Sequence, residues 1–330
     1  MNSAVESYLT WVSSVRRYSK RTAEIYRDSL SMFCGFIGGK NEEISDEELI
    51  GSLKAPTIRA YEVWLMEDKE LSARTVGLHL SVLSGFCRFL MKDGSIKSNP
   101  VRTVKRPKTE KRLPQFFRKE YMDKYFAETE AFASKEIIEA EIEAGVIDKD
   151  LYKKRLHRLI ISILYSTGIR RSELIGLRIG DIDFSRKTAK IRGKGDKMRE
   201  IPLVSSLCEE ISLYLQAVEA MFEERRGPDS PLLLTPSGKP LYPVYADKVV
   251  KSELGQVKEI TGQKSPHILR HSLATELLNG ETDLNSIKEL LGHSSLAATQ
   301  VYTHNSIAKL KKVYESAHPW ASKNGGKNGD

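Results

Sequence analysis

Apolar residues recur every three or four positions through most of the chain, which is the period of a helix with one buried face. Within the first hundred residues, Pro56 has the position of a helix start and Ser72 that of an N-cap. The helical stretches there are 5–15, 19–37, 56–69 and 72–90. The pattern predicts a bundle of about four helices.

The helical period is interrupted once in the rest of the chain. Alternating residues at 188–192 and 198–202 predict two short strands, joined by a Gly-Lys-Gly-Asp turn whose glycines suit a tight hairpin. The helical period resumes at 205–225, 243–261, 266–279 and 283–291. The predicted fold is mainly α with a small β-hairpin or sheet.

A length of 330 residues, 40% hydrophobic and 29% charged, is typical of a globular protein of about two domains. The longest apolar run, 159–165, is far shorter than the roughly 20 residues that cross a bilayer. The amino end has no signal-peptide pattern, so we expect a cytoplasmic protein without membrane contact. Three well-separated cysteines favour neither a disulfide framework nor a metal site.

The net charge of +8 is concentrated in one short segment. Residues 101–119 carry eight basic groups and one acidic group, and prolines at 100, 107 and 114 interrupt any helix there. Such a segment predicts a linker that binds DNA phosphates, since each neutralised phosphate releases counterions. A solvated linker kept extended by its charges is the equally weighted alternative.

Four separated segments carry the candidate chemistry, and each is weak alone. They are 167–174 (TGIRRSEL), 193–195 (GKG), 266–271 (PHILRH), and 291–294 (LGHS) followed by 301–304 (VYTH). An isolated arginine after glycine is usually a surface residue, and a Gly-Lys-Gly turn is usually only a turn. Their order and spacing together make the pattern specific.

In that order the segments resemble the tyrosine recombinase and integrase family, and most of all its bacterial Xer-type members, over about residues 1–320. The resemblance implies a helical core-binding domain at 1–100, a basic linker at 101–117, a catalytic domain at 118–321 and a disordered tail at 322–330. It also implies that the two domains close as a C-shaped clamp on double-stranded DNA.

The resemblance implies a role for each candidate residue. Tyr302 would attack a backbone phosphorus and form a 3′-phosphotyrosyl link, which conserves the bond energy and removes the need for a nucleotide cofactor. Arg170 and Arg270 would clamp the non-bridging oxygens, and His293 would add a hydrogen bond to them. These positive groups would replace metal ions, so no metal and no cofactor is expected.

Proton transfer is assigned to two further residues by the same resemblance. Lys194 would protonate the departing 5′-oxygen, and His267 would handle the proton of the tyrosine. Glu173 matches a supporting acidic position that orients a catalytic group, with a surface ion pair as the equal alternative. Arg171 lies one place off the family pattern and is not expected to act in the clamp.

The implied partner is double-stranded DNA. The predicted backbone-binding residues of the linker are Lys105, Arg106, Lys108, Lys111 and Arg112. Strand exchange on paired sites implies a homotetramer, or a heterotetramer with a second recombinase, in which the amphipathic stretch 307–317 would dock on a neighbour. The acidic segment 128–150 is longer than expected for the family and predicts an outward helical insertion that could receive a regulatory protein.

Four other functions are compatible with parts of the pattern. A phage or mobile-element integrase shares every motif, and only a missing arm-binding domain favours the Xer role in resolving chromosome dimers at cell division. A type IB topoisomerase uses similar residues, although His267 and Lys194 fit recombination better. A non-catalytic DNA-binding protein would require a damaged site, and a helical scaffold would require coincidental motifs.

Overall fold

The computed structural model describes residues 2–39, 44–108, 115–145, 147–193, 197–222, 225–279, 287 and 290–292. The chain forms two compact units, Met1–Arg112 and Leu113–Asp330. The division falls inside the segment 101–117 for which a linker was predicted. The tail 322–330 and the stretch 307–317 lie outside the described residues.

The first unit contains the four predicted helices and a fifth short one. Its elements are α1 Ser3–Ser14, α2 Lys20–Gly38, α3 Asp46–Ser52, α4 Ala55–Glu67, α5 Ala73–Lys92 and a 3-10 turn at Pro100–Thr103. Ser72 caps α5 by accepting a hydrogen bond from the amide of Thr75, as predicted. The unpredicted α3 begins with a capping box between Ser45 and Glu48, and its seven residues are too few to show a helical period.

The core of the first unit lies between α5 and the helices around it. Leu80 and Phe86 of α5 are fully buried, and the Phe33 and Tyr61 rings meet edge to face with centroids 5.0 Å apart. Val101 and Val104, at the start of the predicted linker, are also buried in this core. The chain therefore leaves the hydrophobic core of the first unit only after Val104.

The second unit is built around one long helix, α8. Its helices are α6 Lys119–Glu128, α7 Lys135–Glu143, α8 Lys149–Thr167, α9 Arg171–Ile175, α10 Ser205–Phe222, α11 Pro243–Gln256 and α12 Pro266–Asn279, with 3-10 turns at Glu130–Ala133 and Ile179–Asp181. From residue 159 to 167 every residue of α8 is buried, with α10, α11 and α12 packed around it. No helix among the described residues is long and apolar enough to span a membrane.

A small antiparallel sheet lies beside these helices. Its strands are β1 Ile182–Asp183, β2 Thr188–Arg192 and β3 Met198–Pro202, in the order β1-β2-β3. The two predicted strands are confirmed, whereas β1 has only two residues and no detectable alternation. The Gly193 amide donates to the Lys197 carbonyl at 2.8 Å and closes the hairpin base, and turn residues 194–196 lie outside the described part of the chain.

The acidic segment 128–150 is helical over α7, but the prediction that it projects outward is wrong for one of its faces. Ile138 is buried, and Glu141 accepts a hydrogen bond at 2.5 Å from Arg155 of α8, whose side chain is 2% exposed. Glu136 and Glu139 remain exposed on the opposite side. Ile138 and the Glu141–Arg155 ion pair therefore hold α7 against the second unit, while Glu136, Ile137 and Glu139 are exposed.

Candidate active site

The site begins where α8 ends in a glycine. Gly168 has φ +61°, and a Cβ at this position would lie 2.6 Å from Leu291 Cδ2 and 3.0 Å from Leu273 Cδ2. Only glycine combines this left-handed backbone with such close packing. The turn ends α8 abruptly and places Arg170 at the start of α9.

Arg170 is held by three hydrogen bonds. Its Nη1 donates to Glu173 Oε1 at 2.9 Å, its Nη2 to the Gly292 carbonyl at 2.8 Å, and its backbone amide to Glu173 Oε2 at 2.8 Å. The side chain stays 36% exposed, so part of the guanidinium remains accessible. The remaining N–H groups are available to an anion.

Arg270 lies deeper than Arg170. This α12 residue is 7% exposed, and its Nη1 donates to the Gly168 carbonyl at 2.5 Å while its Nη2 donates to the Leu291 carbonyl. Burial, followed by the positive charge of Arg170, lowers the pKa of Arg270 to about 10. The side chain is still cationic at neutral pH, so two like charges lie near each other, and the Glu173 carboxylate offsets part of their repulsion.

Glu173 is a buried residue and not part of a surface ion pair. It is 6% exposed and binds both Arg170 and Arg199. Burial acts to raise the pKa of its carboxyl, but hydrogen bonds from Arg199 and from the Arg170 amide outweigh it and lower the pKa to about 2. The carboxylate is therefore ionised at every pH at which the protein would work.

Arg199 is the site residue that the sequence reasoning missed. On β3 it is 8% exposed, and its Nη1 and Nη2 lie 2.9 Å from Glu173 Oε1 and Oε2. Its position two residues before the buried Ile201 was the available signal, because alternate residues of a strand face the same side. A charged residue on the buried side of a strand requires a buried partner.

His267 lies three residues before Arg270 on α12 and is exposed. Partial burial, followed by the positive charges of His271 and Arg270, lowers its pKa below the usual 6.5. The imidazole is therefore neutral at pH 7 and able to accept a proton. Arg171 instead donates to Asp247 of α11, which agrees with leaving it out of the clamp.

Three predicted residues, Lys194, His293 and Tyr302, lie outside the described part of the chain. Their neighbours Gly193 and Gly292 are described. A Cβ on Gly193 would lie 3.8 Å from Glu173 Oε1, and one on Gly292 would lie 3.1 Å from Arg199 Cζ. The residues that directly precede Lys194 and His293 thus contact the Glu173–Arg199 pair. Among the described residues, no cluster of three His, Cys, Asp or Glu could hold a metal ion.

Comparison with known proteins gives matches over nearly the whole chain. The phage integrase family matches residues 142–309, and the phage integrase N-terminal SAM-like domain matches residues 5–94. Proteins named tyrosine recombinase XerC are 32% identical in Chlorobaculum parvum, over 96% of this chain and 94% of that protein, and 32% identical in Bacillus subtilis, over 97% of both. A structure of XerH recombinase bound to difH before cleavage has TM-score 0.62 and 22% identity, over 93% of this chain and 83% of that one.

The matched relatives are tyrosine recombinases, and the helical second unit with its small sheet and supported arginines is compatible with that class. The chain belongs to the phage integrase family of tyrosine recombinases. It is a site-specific recombinase that cleaves and rejoins DNA, which excludes the non-catalytic and scaffold alternatives.

Proposed function

We propose that this chain is a housekeeping recombinase of the Xer type, which resolves chromosome dimers at cell division in the cytoplasm. The observation that carries its chemistry is the pair Arg170 and Arg270: a buried carboxylate and the Gly292 carbonyl hold the first, and the carbonyls of Gly168 and Leu291 hold the second. The 32% identity to XerC proteins extends over nearly the full length of the chain, which supports the Xer role over that of a mobile-element integrase.

The two arginines bind the scissile phosphate in this proposal. Bringing two guanidinium groups close together is unfavourable, and Glu173 with the carbonyls of Gly168, Leu291 and Gly292 offsets part of that cost. A phosphate between the arginines relieves the repulsion, and more so as charge accumulates on its oxygens in the transition state. The site is thus arranged for a pentacoordinate phosphorus without a metal ion.

The other four reacting groups are assigned from their place in the sequence and, for Lys194, His293 and His267, from the described residues beside them. Tyr302 attacks the phosphorus and releases a 5′-hydroxyl, and Lys194 donates the proton that this oxygen needs. His293 donates a hydrogen bond to a non-bridging oxygen. His267 accepts the phenolic proton, for which its lowered pKa keeps it neutral at pH 7.

Binding of the DNA backbone is assigned to the basic segment. Lys105, Arg106 and Lys108 are exposed, and Arg106 lines an open groove of about 640 Å³ together with Arg74 of α5. Two cations along one groove suit phosphate oxygens and offer little to distinguish base edges. Lys111 and Arg112 belong to the proposal but lie outside the described residues.

Neutralising this segment is expected to change the salt dependence of binding and to leave the preferred sequence unchanged. Alanine is substituted in turn for Lys105, Arg106, Lys108, Lys111 and Arg112. Each substitution should reduce the slope of log Kd against log salt concentration by about one. Fluorescence anisotropy across a salt series measures the slope, and competition with unrelated duplexes measures the preference. An unchanged slope with a shifted preference would contradict backbone binding.

Assembly is proposed to occur on DNA. Two duplexes carry four scissile phosphates, so recombination needs four active sites, supplied by four copies of this chain or shared with a second recombinase. A helix at 307–317, passed from each subunit to the next, would make a heterologous contact that closes as a ring. The exposed acidic face of α7 is left available to a regulatory protein.

Covalent trapping tests the proposal directly. Fragments of the host chromosome are lightly nicked, incubated with the full chain and denatured, and the DNA that stays attached to protein is sequenced. A nick beside the cleavage site lets the short 5′-hydroxyl fragment diffuse away, so the phosphotyrosyl intermediate accumulates. We expect one chromosomal site to be recovered. Recovery of the ends of a mobile element would support the integrase alternative, and no covalent DNA at all would refute the proposal.

A further inference from the structure

The Arg199 guanidinium forms a fork-to-fork pair with Glu173 in the interior of the second unit. Both N···O distances are 2.9 Å, and the two side chains are 8% and 3% exposed. A buried ion pair is weak evidence for stability, because desolvating both charges costs about as much as their attraction returns. The geometry of this pair, which orients a carboxylate at the phosphate clamp, calls for a functional explanation.

Arg199 contacts both supports of the Arg170 side chain. One support is Glu173, whose Oε1 accepts a hydrogen bond from each of the two arginines. The other is the Gly292 carbonyl, which accepts from Arg170 Nη2. The Gly292 backbone lies so close to Arg199 that a Cβ there would stand 3.1 Å from its Cζ and Nε. Moving Arg199 would therefore disturb both acceptors of the Arg170 side chain.

The charges give Arg199 a second effect. Glu173 is ionised, with its pKa lowered to about 2, and it is shared between two cations. Without Arg199, the Glu173 carboxylate would pair with Arg170 alone among the described residues. Both carboxylate oxygens could then accept hydrogen bonds from the Arg170 guanidinium, and this bidentate geometry is the one that guanidinium groups prefer. Arg170 would be drawn toward Glu173, in direct competition with the DNA phosphate.

We propose that Arg199 is a positioning residue of the recombination reaction: it occupies Glu173 bidentately, so that Arg170 stays directed at the scissile phosphate. This inference rests on the proposed role of Arg170 in the clamp. It also links strand β3, at the base of the hairpin that carries Lys194, to the residues around the phosphate. Arg199 itself touches no reacting atom in this proposal.

The test uses single-turnover cleavage of the trapped duplex by the full chain at saturating protein. Arg199→Ala is expected to slow adduct formation by a factor on the order of 10 to 100, with little change in Kd, because the loss falls on transition-state stabilisation. Arg186→Ala is the matched control. Arg186, in the turn between β1 and β2, pairs with Glu200 of β3 at 3.3 Å, so removing it should leave the cleavage rate at the wild-type value.

Two altered substrates separate positioning from a merely structural role. Replacing a non-bridging oxygen of the scissile phosphate by a methyl group removes the charge that Arg170 binds. The deficit of Arg199→Ala relative to wild type should then shrink, as should that of Arg170→Ala. Replacing the 5′-bridging oxygen by sulfur gives a leaving group that needs no proton. That substrate should rescue Lys194→Ala and leave the Arg199→Ala deficit unchanged.

Each outcome decides the question. Wild-type cleavage by Arg199→Ala, a deficit that persists on the methyl substrate, or rescue by sulfur would each overturn the proposal. If Arg199→Ala does not fold, Arg199→Lys retains the charge without the two-pronged contact, and the same substrate pattern is required of it. Absence of any adduct with the wild-type chain would instead refute the proposed function, so the two failures are distinguishable.

Discussion

Tyr302→Phe is expected to bind its DNA site with unchanged affinity and to form no covalent adduct. The substitution removes one oxygen, which is the atom that would attack phosphorus, and it leaves an aromatic ring of nearly the same size. Adduct is measured as protein-linked DNA after denaturation, and affinity by anisotropy on the same duplex. Because this step precedes all strand transfer, recombinant product should also be absent.

Four buried phenols of the second unit are poorly suited to this attack. Burial is the main cause that raises the pKa of four core tyrosines, so their nucleophilic phenolate forms are inaccessible. They are Tyr125, Tyr152, Tyr165 and Tyr214. Tyr242 is 49% exposed and serves as the control, since Tyr242→Phe should retain full adduct formation. Adduct at wild-type level in Tyr302→Phe would move the nucleophile to another residue.

Local patterns were sufficient to predict most elements of this fold. The helices of 12 residues or more repeat their apolar positions over at least three turns, and β2 and β3 are bounded by glycine-containing turn residues. The helices α6, α8 and α9 were covered only by a mostly helical pattern without bounds. The elements α3 and β1, which have seven and two residues, were missed altogether. Elements that short show no period, and only tertiary packing and a capping box define them.

The sequence motifs identified the two clamp arginines and one support, Glu173, but not the other groups that hold the arginines. The motif spacing singled out Arg170 and Arg270, and the structure gives them backbone carbonyl partners from distant segments. Arg199 was missed although it alternates with Ile201, because the sequence of β3 does not name the buried partner that a charged residue on that side needs. Its partner Glu173 lies 26 residues away, a separation that no periodicity argument spans. Only packing of β3 against α9 could bring the pair together.

The acidic segment 128–150 also shows that the sequence alone does not reveal which distant charged residues pair. Its glutamates and isoleucines correctly predicted a helix, but charge alone suggested that the helix would face away from the protein. Arg155, on the buried side of α8, is the residue that reverses this expectation, because its guanidinium needs the carboxylate of Glu141. The sequence contained both partners, 14 residues apart, without indicating that they meet.

Arg170→Ala and Arg270→Ala are each expected to slow DNA cleavage by a factor on the order of 100 or more, which corresponds to several kcal/mol of lost transition-state stabilisation. Guanidinium groups match phosphate oxygens in both charge and geometry, and a lysine in either place could not reproduce the fork. Site affinity should fall little, because many backbone contacts share the binding energy. Single-turnover cleavage and anisotropy on the same duplex separate the two effects.

Arg171→Ala is the matched control for these variants. It removes an arginine from the adjacent position, but one that pairs with Asp247 and is not held by Glu173. Its cleavage rate should therefore remain close to wild type. A large cleavage deficit in Arg171→Ala together with normal cleavage by Arg170→Ala would show that Arg171, and not Arg170, binds the phosphate.

The two clamp variants should differ in stability although they share a kinetic defect. Arg270 is buried and donates to two backbone carbonyls, and removing it leaves both acceptors without their donor, at a cost of about 1–3 kcal/mol each. Arg170 is 36% exposed, and water can replace part of what it loses. Arg270→Ala should thus lower Tm more than Arg170→Ala does. Because both arginines act on one phosphate, the double variant should lose less activity than the product of the two single losses. Full multiplicativity would show that the arginines act at separate steps.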